Sequence, residues 1–163
     1  MTRPARLAIG GVSAGRVGAV VGAAWAAAGH RVVATSGGSR DSGRPAAALL
    51  PDVPLLPPDE VAAAADLVLL AVPDDVLPGL VRGLASAGSF RAGQIVVHTS
   101  GAHGVAVLAP AAEHGVLSLA LHPVMTFTGR VEDVARLRGA SVGVTAGGDP
   151  PGAPPRRAQG GEL

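Results

Sequence analysis

The stretch that most constrains the fold of this chain lies near its start, where an apolar run breaks into small residues and then restarts as an alanine-rich segment. Leu7–Val12 has the character of a buried strand, and Arg16–Ala28 that of a helix ended by Gly29. Only a tight turn fits between them. Because the first N–H groups of a helix are unpaired and carry partial positive charge, this strand, turn and helix predict a place where an anion binds.

The turn partly matches the G-x-G-x-x-G pattern of dinucleotide-binding folds. Gly15 and Gly18 stand at the second and third glycine positions of that pattern, where they would permit close approach of a diphosphate and close packing of the helix on the sheet. Ser13 stands at the first position, and it keeps the turn small without having glycine's freedom to adopt positive φ. We therefore predict a dinucleotide-binding turn.

Strand-like and helix-like segments alternate along the chain, which is typical of a parallel α/β sheet. The expected strands are Leu7–Val12, Arg31–Ser36, Val53–Leu56, Leu67–Val72, Ile95–Thr99, Val116–Leu121 and Ala140–Thr145. The expected helices are Arg16–Ala28, Pro45–Leu50, a helix capped by Asp59 that runs to Ala65, one capped by Asp74 or Asp75 that runs to about Ala87, and Val105–His114. The predicted fold is a doubly wound, mostly parallel α/β sheet, the Rossmann NAD(P)-binding fold, with a strand order near 3-2-1-4-5-6 and room for a seventh strand.

The composition changes at Gly147. From there to Leu163 the chain is almost entirely Gly, Pro, Ala and Arg, with no apolar face to bury, so we expect a disordered tail. Residues 1–146 are expected to form one dinucleotide-binding domain, which is long enough to sustain its own core.

Missing residue types exclude several classes of chemistry. The chain has no Cys and no Tyr, and all 13 of its basic residues are Arg. Disulfides, cysteine metal sites, Schiff bases on lysine, phosphate-loop lysines and tyrosine–lysine catalytic pairs are therefore excluded. The net charge is +1 and the arginines are spread thinly, so we expect no nucleic-acid partner.

The N-terminal apolar region invites comparison with a secretory signal, since Arg3 and Arg6 precede it. Against that interpretation, Arg16 and several glycines interrupt the run. The longest uncharged segment, Val17–Gly29, is too short to span a bilayer. We expect a cytoplasmic protein with no membrane association.

The loop after the second expected strand bears on the choice between NAD and NADP. NAD-preferring sites usually place an acidic residue near the end of this strand to hold the ribose diol, and residues 34–40 contain none. It offers Ser36, Ser39 and Arg40 instead, whose hydroxyls and guanidinium suit a 2′-phosphate. The alternative is an ordinary solvated loop; we expect NADP in preference to NAD.

Polar side chains follow two further strands at their carboxyl ends. His98 and Ser100 could hold or polarise a carbonyl, although Ser100 could equally cap the next helix. His122 and Thr126 could line a substrate pocket, although His122 could equally be a satisfied structural histidine. Because the carboxyl ends of parallel strands share one edge of the sheet, we expect these loops to converge there.

A metal site is a further alternative for the histidines. His98, His103 and His122 could supply ligands, but no carboxylate accompanies them at a useful spacing, so we expect no metal.

Four motifs in this order resemble a known family: V-S-A-G-R-V-G, D-L-V-L-L-A-V-P-D-D, V-V-H-T-S-G-A-H-G and L-H-P-V-M-T-F. They look like the N-terminal half of proteins in which a Rossmann-like domain is joined to domain of unknown function 2520, within the 6-phosphogluconate dehydrogenase-like NADP-binding superfamily. More distantly they are similar to pyrroline-5-carboxylate reductases, prephenate dehydrogenases and deazaflavin-dependent NADP reductases. The resemblance covers about Leu7 to Ala146.

The resemblance implies an NADP-binding oxidoreductase domain acting on a small-molecule substrate, a carbonyl or imine compound. It implies that the diphosphate is held by Ser13, Ala14, Gly15, Arg16, Val17 and Gly18. It further implies that Ser36, Ser39 and Arg40 lie near the 2′-phosphate, with Val72 and Pro73 along the nicotinamide half of the coenzyme. The residues implied near the reacting carbon are His98, Ser100, His122 and Thr126.

The chain departs from that family after Gly147. Members of the family continue into a helical C-terminal domain that closes the active site and forms homodimers, whereas this sequence turns into a Pro/Gly/Arg-rich segment. We expect a truncated or frame-shifted and inactive chain, because hydride transfer needs a closed, dry site. The competing interpretations are a non-catalytic nucleotide-binding or regulatory module and a methyltransferase. A methyltransferase normally has an acid at the end of the second strand, and this chain has none there.

Overall fold

The computed structural model describes residues 5–13, 15–37 and 48–148. Six strands form one sheet in the order β2-β1-β3-β4-β5-β6. The strands are β1 (Ala8–Val12), β2 (Arg31–Thr35), β3 (Leu67–Leu70), β4 (Ile95–His98), β5 (Leu117–Pro123) and β6 (Val142–Ala146). The helices are α1 (Arg16–Ala27), α2 (Pro58–Ala64), α3 (Leu77–Ser86), α4 (Ala109–Ala112), preceded by a 3₁₀ turn at Val105–Leu108, and α5 (Val131–Gly139).

The central strands of the sheet are buried on both faces because helices cover each side. All four residues of β3 are buried, as a central parallel strand requires. One face packs against α2, α3 and α4, with Val68, Leu70 and Val96 among its core residues. The other face carries Leu69 and Val97 and packs against α1 and α5. The core therefore forms two layers that hold the carboxyl ends of β1, β3 and β4 in fixed positions.

The fold class predicted from the sequence is confirmed. The first five strands pair in parallel, from β2 through β1, β3 and β4 to β5, and β6 pairs with β5 in antiparallel orientation. The strand order reverses beside β1, which makes the carboxyl end of β1 the topological switch point at which ligands bind in such sheets.

The expected third strand, Val53–Leu56, is wrong as a full strand. Only Leu55 makes a parallel bridge to Thr35, closed by bonds from Thr35 N–H to the Pro54 carbonyl and from Leu56 N–H to the Thr35 carbonyl. Pro54 and Pro57 lack N–H groups, so the segment cannot extend a ladder. Its position beyond β2 still agrees with the predicted strand order.

Two predicted helix caps are also wrong. Pro57 takes the N-cap position of α2, and Asp59 lies inside its first turn. α3 begins only at Leu77 after the N-cap residue Val76, so neither Asp74 nor Asp75 caps it. Asp74 instead bonds to the next loop, as described below.

The predicted helix Val105–His114 is shorter and tighter than expected. It consists of the 3₁₀ turn and the single turn of α4, with Pro110 among the first residues of α4.

The sequence analysis does not predict helix α5. Its signal is present, since Glu132 and Asp133 lie in the first turn and Arg136 and Arg138 in the last, matching the helix dipole. No helix within the described ranges is long and apolar enough to cross a membrane. The predicted tail from residue 149 onward, and most of the predicted Pro45–Leu50 helix, lie outside the described residues.

Candidate functional site

The turn between β1 and α1 is built around a serine in the left-handed region. Ser13 has φ of 69°, which L side chains seldom adopt. Its N–H donates to the Ser36 hydroxyl oxygen at 2.7 Å, and the Ser36 N–H donates to the Gly11 carbonyl at 2.8 Å. Ser36 is only 3% exposed. Ser36 therefore holds the turn in place through these two hydrogen bonds.

The packing requires glycine at one of the two glycine positions of the turn and not at the other. A Cβ on Gly18 would lie 2.4 Å from the Ser13 carbonyl oxygen, so only glycine lets α1 begin this close to β1. A Cβ on Gly15 would meet only the Ser13 hydroxyl, at 3.6 Å, among the described residues. Nothing in the packing demands glycine at position 15, which leaves that face of the turn open to a ligand.

The N-terminus of α1 is electropositive. Gly15 is its N-cap residue, and no side chain of the described residues makes a capping hydrogen bond there. The first turn contains no acidic residue, and the exposed Arg16 is its first helical residue. Unpaired N–H groups, the helix dipole and a guanidinium therefore favour an anion at this position.

A cleft of about 390 Å³ opens at the carboxyl edge of the sheet beside this turn. It is lined by Ser13, Gly15, Arg16, Val17, Ala71, Val72, Pro73, Asp74, Thr99 and Ser100. The structure thus brings together residues from the loops that follow β1, β3 and β4, as the strand topology predicts.

Hydrogen bonds join the loops after β3 and β4 into one wall of the cleft. The Ser100 hydroxyl donates to Asp74 Oδ1 at 2.5 Å and accepts from the Ala102 N–H at 3.3 Å. His103 Nε2 lies 2.8 Å from the Asp74 carbonyl oxygen and donates to it. Because its proton points to Asp74, Ser100 cannot also donate to a substrate carbonyl in this arrangement.

His98 holds this wall in place through hydrogen bonds to the loop after β4. It has 0% exposure, its Nδ1 accepts the Ser100 N–H at 3.1 Å, and its Nε2 lies 2.9 Å from the Gly104 carbonyl oxygen. These partners fix the neutral tautomer with the proton on Nε2. Burial lowers the pKa of His98, outweighing the opposite effect of the Gly104 bond, and the nearby His122 lowers it further. The arrangement favours a positioning role for His98 over the direct substrate contact expected from the sequence.

Neither His122 nor Thr126 lines the cleft. The His122 ring packs edge-on against His98, with 6.3 Å between the ring centroids and 77° between the ring planes. His122 is half-buried and Thr126 is exposed, so both remain accessible.

Two groups of residues differ between the predicted site and the described cleft. Ala14, Ser39 and Arg40 lie outside the described residues. Asp74 and Thr99 line the cleft but were not among the predicted site residues. Their signal was present, since each follows a buried strand at its carboxyl end, but Asp74 was interpreted as a helix cap.

The chain belongs to the Rossmann-like domain family, whose model matches residues 1–123. No curated protein sequence is significantly similar to it. The match agrees with the Rossmann-like half of the resemblance drawn from the sequence motifs; the link to domain of unknown function 2520 stays a prediction.

Solved structures with the same fold include three oxidoreductases or reductoisomerases. Mycobacterium tuberculosis 3-hydroxyisobutyrate dehydrogenase, solved with L-serine, is 23% identical, with 89% of this chain and 47% of that chain covered and a TM-score of 0.66. An NADH-preferring ketol-acid reductoisomerase from an uncultured archean is 18% identical, with coverages of 90% and 44% and a TM-score of 0.68. The V8 variant of an imine reductase from Myxococcus stipitatus, in complex with NAD⁺, is 19% identical, with coverages of 75% and 42% and a TM-score of 0.60. This chain spans less than half the length of each, and at these identities the likeness shows the fold.

Proposed function

We propose that this chain is the dinucleotide-binding domain of an NADP-dependent oxidoreductase that transfers hydride to or from a small carbonyl or imine compound. The observation that carries the proposal is the cleft at the switch point, one side of which is the open Gly15 face and the N-terminus of α1, which no described side chain caps. The solved structures of similar fold support it, since their names describe a dehydrogenase, a reductoisomerase and a reductase.

The residues of the cleft fit a nicotinamide dinucleotide. The N–H groups that open α1 and the Arg16 guanidinium would hold the diphosphate. Val72 and Pro73, after β3, would flank the nicotinamide half. When bound, the nicotinamide ring supplies hydride chemistry, and the protein supplies orientation and exclusion of water. Of the polar groups predicted near the reacting carbon, His122 and Thr126 remain available to a substrate, while His98 and Ser100 hold the wall in place.

Coenzyme titration of a glycine variant tests the proposal. Gly15→Ala should weaken NADP⁺ binding about tenfold or more, because the new methyl group occupies the open face that a diphosphate must approach. Its melting temperature should change little, since the methyl would meet only the Ser13 hydroxyl at 3.6 Å. Gly83→Ala, in α3 where nothing lies within 4 Å, is the matched control and should leave affinity unchanged. Calorimetry that gives no heat with either nicotinamide coenzyme and the wild-type chain would refute the proposal.

The preference for NADP over NAD rests on the chemistry of Ser39 and Arg40, since Ser36 is 3% exposed and its hydroxyl oxygen accepts the Ser13 N–H at 2.7 Å. Arg40→Ala should weaken NADP⁺ binding several-fold more than NAD⁺ binding, because a guanidinium pairs with a 2′-phosphate and has no such partner in NAD⁺. Equal losses for the two coenzymes would remove this assignment.

A non-catalytic nucleotide-binding module is the second candidate. The observation that favours it is that His98 and Ser100 are both occupied by hydrogen bonds within the protein. Stoichiometric NADPH binding without oxidation across a panel of small aldehydes, ketones and imines would support the module. Turnover with any member of the panel, lost in His122→Ala, would support the oxidoreductase.

A further inference from the structure

The cleft carries opposite charges on two of its walls. Arg16 contributes a guanidinium at the start of α1, and Asp74 contributes a carboxylate from the loop after β3. The Asp74 carboxylate is fixed in place, since Oδ1 accepts the Ser100 hydroxyl at 2.5 Å and the carbonyl oxygen of the same residue accepts from His103 at 2.8 Å. Its neighbour Asp75 is also exposed but does not line the cleft. Asp74 is therefore the positioned negative charge of the cleft.

The topology places Asp74 beside one half of a bound dinucleotide. A dinucleotide lies across the switch point, with its diphosphate at α1 and one nucleoside on each side of β1. β2 and Ser36 lie on one side of β1, and β3 and β4 lie on the other. If the 2′-phosphate faces the β2 side, the nicotinamide half falls on the side of Asp74.

We propose that Asp74 sets the preference of this domain between the oxidised and the reduced coenzyme. The inference rests on the proposed function. The oxidised nicotinamide ring carries a positive charge and the reduced ring is neutral, so a fixed carboxylate on this wall stabilises the oxidised form alone. Asp74 is exposed, so solvent screens the interaction and its effect is that of a surface ion pair.

The test compares Asp74→Asn with Asp75→Asn. The Asp74→Asn side chain keeps its shape and can still accept the Ser100 hydroxyl, but it loses the charge. The Kd values of NADP⁺ and NADPH are measured calorimetrically for the wild-type chain and both variants. In Asp74→Asn the ratio of the NADP⁺ Kd to the NADPH Kd should rise roughly two- to fivefold. In Asp75→Asn it should stay unchanged, and in high salt the shift should shrink.

A third ligand distinguishes an effect of the Asp74 charge from an effect of the substitution on the fold. The fragment 2′-phospho-ADP-ribose lacks the nicotinamide ring, so its affinity should be the same in the wild-type chain and in Asp74→Asn. A fragment Kd that weakens as much as the NADP⁺ Kd would show that Asp74 acts through the fold, and the inference would be wrong.

The two proposals fail differently. An unchanged ratio in Asp74→Asn, or an equal change in Asp75→Asn, overturns the role of Asp74 while coenzyme binding and the proposed function stand. Absence of binding of either coenzyme by the wild-type chain overturns the proposed function, and the role of Asp74 falls with it.

Discussion

At the scale of single residues, the site depends on three positions of the first turn that a sequence pattern describes only in part. The pattern places Gly15 and Gly18 in a turn, because the spacing of glycines reflects the geometry of a turn, and their role in binding stays a prediction. It does not show that Ser13 occupies the left-handed region at φ 69° with its N–H bonded to Ser36. That bond joins residues 23 apart, and no local pattern encodes it.

Gly18→Ala should unfold or severely destabilise the chain. Its Cβ would lie 2.4 Å from a backbone oxygen that belongs to the same tight turn and cannot move away cheaply. We expect a loss of free energy of unfolding of more than about 2 kcal/mol, typical of steric overpacking. Urea denaturation measures it, and Gly83→Ala provides the control, with an expected gain of about 0.5–1 kcal/mol from helix propensity. Equal stability of the two variants would contradict this account of the turn.

His98 should make the stability of the protein depend on pH. Its pKa in the folded chain is lowered, first by burial, so below about pH 6.5 the unfolded chain binds a proton that the folded chain resists. The free energy of unfolding should therefore fall as the pH falls below the unfolded value, and level off below the folded one. In His98→Gln, whose amide can still donate to Gly104, the slope between about pH 5 and 7 should be shallower. Parallel wild-type and variant curves, from urea denaturation across that range, would show that His98 is not the group responsible.

At the scale of elements, α5 shows what sequence interpretation misses. Its nine residues have only a narrow apolar side, so hydrophobic periodicity gives little signal. The helix is held by Asp133, which is 1% exposed and accepts from Thr128 N–H at 2.6 Å, Gly129 N–H at 2.9 Å and the Thr128 hydroxyl at 3.1 Å. Arg136 adds an ion pair to the other oxygen at 3.0 Å. The central strand β3 was predictable because burial on both faces makes it uniformly apolar.

Asp133→Asn should destabilise the protein at neutral pH and much less in acid. Burial acts to raise the pKa of Asp133, but bonds from Thr128 and Gly129 and the charge of Arg136 outweigh it, so the pKa lies below its ordinary value. The carboxylate therefore stabilises the folded chain above the unfolded pKa, and this contribution is lost as the pH falls through the lower folded value. Melting temperatures of the two proteins should differ at pH 7 and converge below about pH 4. A difference that persists unchanged in acid would mean that shape, and not charge, explains the loss. Glu132→Gln, on the exposed side of the same turn, is the control and should have little effect.

At the scale of the whole molecule, the sheet is predictable in class and order but not in its last pairing. Nothing in Val142–Ala146 distinguishes a parallel from an antiparallel strand; after α5 the chain rejoins the sheet at the carboxyl end of β5, where Val142 pairs with Pro123. The bonds from Val124 N–H to Ser141 and from Gly147 N–H to Ser118 flank this pairing. Along an antiparallel pair, every second residue is hydrogen-bonded to the partner strand. Counting from these two bonds, the backbone N–H and C=O groups of residues 142, 144 and 146 face away from β5.

That edge should make the chain self-associate. Val142 and Val144 are 42% and 62% exposed, β6 carries no charge, and no described strand pairs with its outer side. Such an edge is a template for intermolecular pairing, which an outward lysine opposes. Val144→Lys should lower the concentration-dependent association seen by sedimentation velocity, with a change in stability within about 0.5 kcal/mol. Val131→Lys, at an equally exposed site on α5, tests whether any added charge suffices; identical effects would argue against pairing through β6.

The reversal at β6 also decides where the chain leaves the sheet. Because β6 runs back along β5, Gly147 lies beside Ser118 and not beside the loops that form the cleft. The five residues of β6 span about 17 Å at the rise of an extended strand. A dye, bead or sensor surface attached through the segment after Gly148 would thus start from the far end of the sheet. Immobilisation at that end leaves the cleft between α1 and the loops after β3 and β4 free for a ligand.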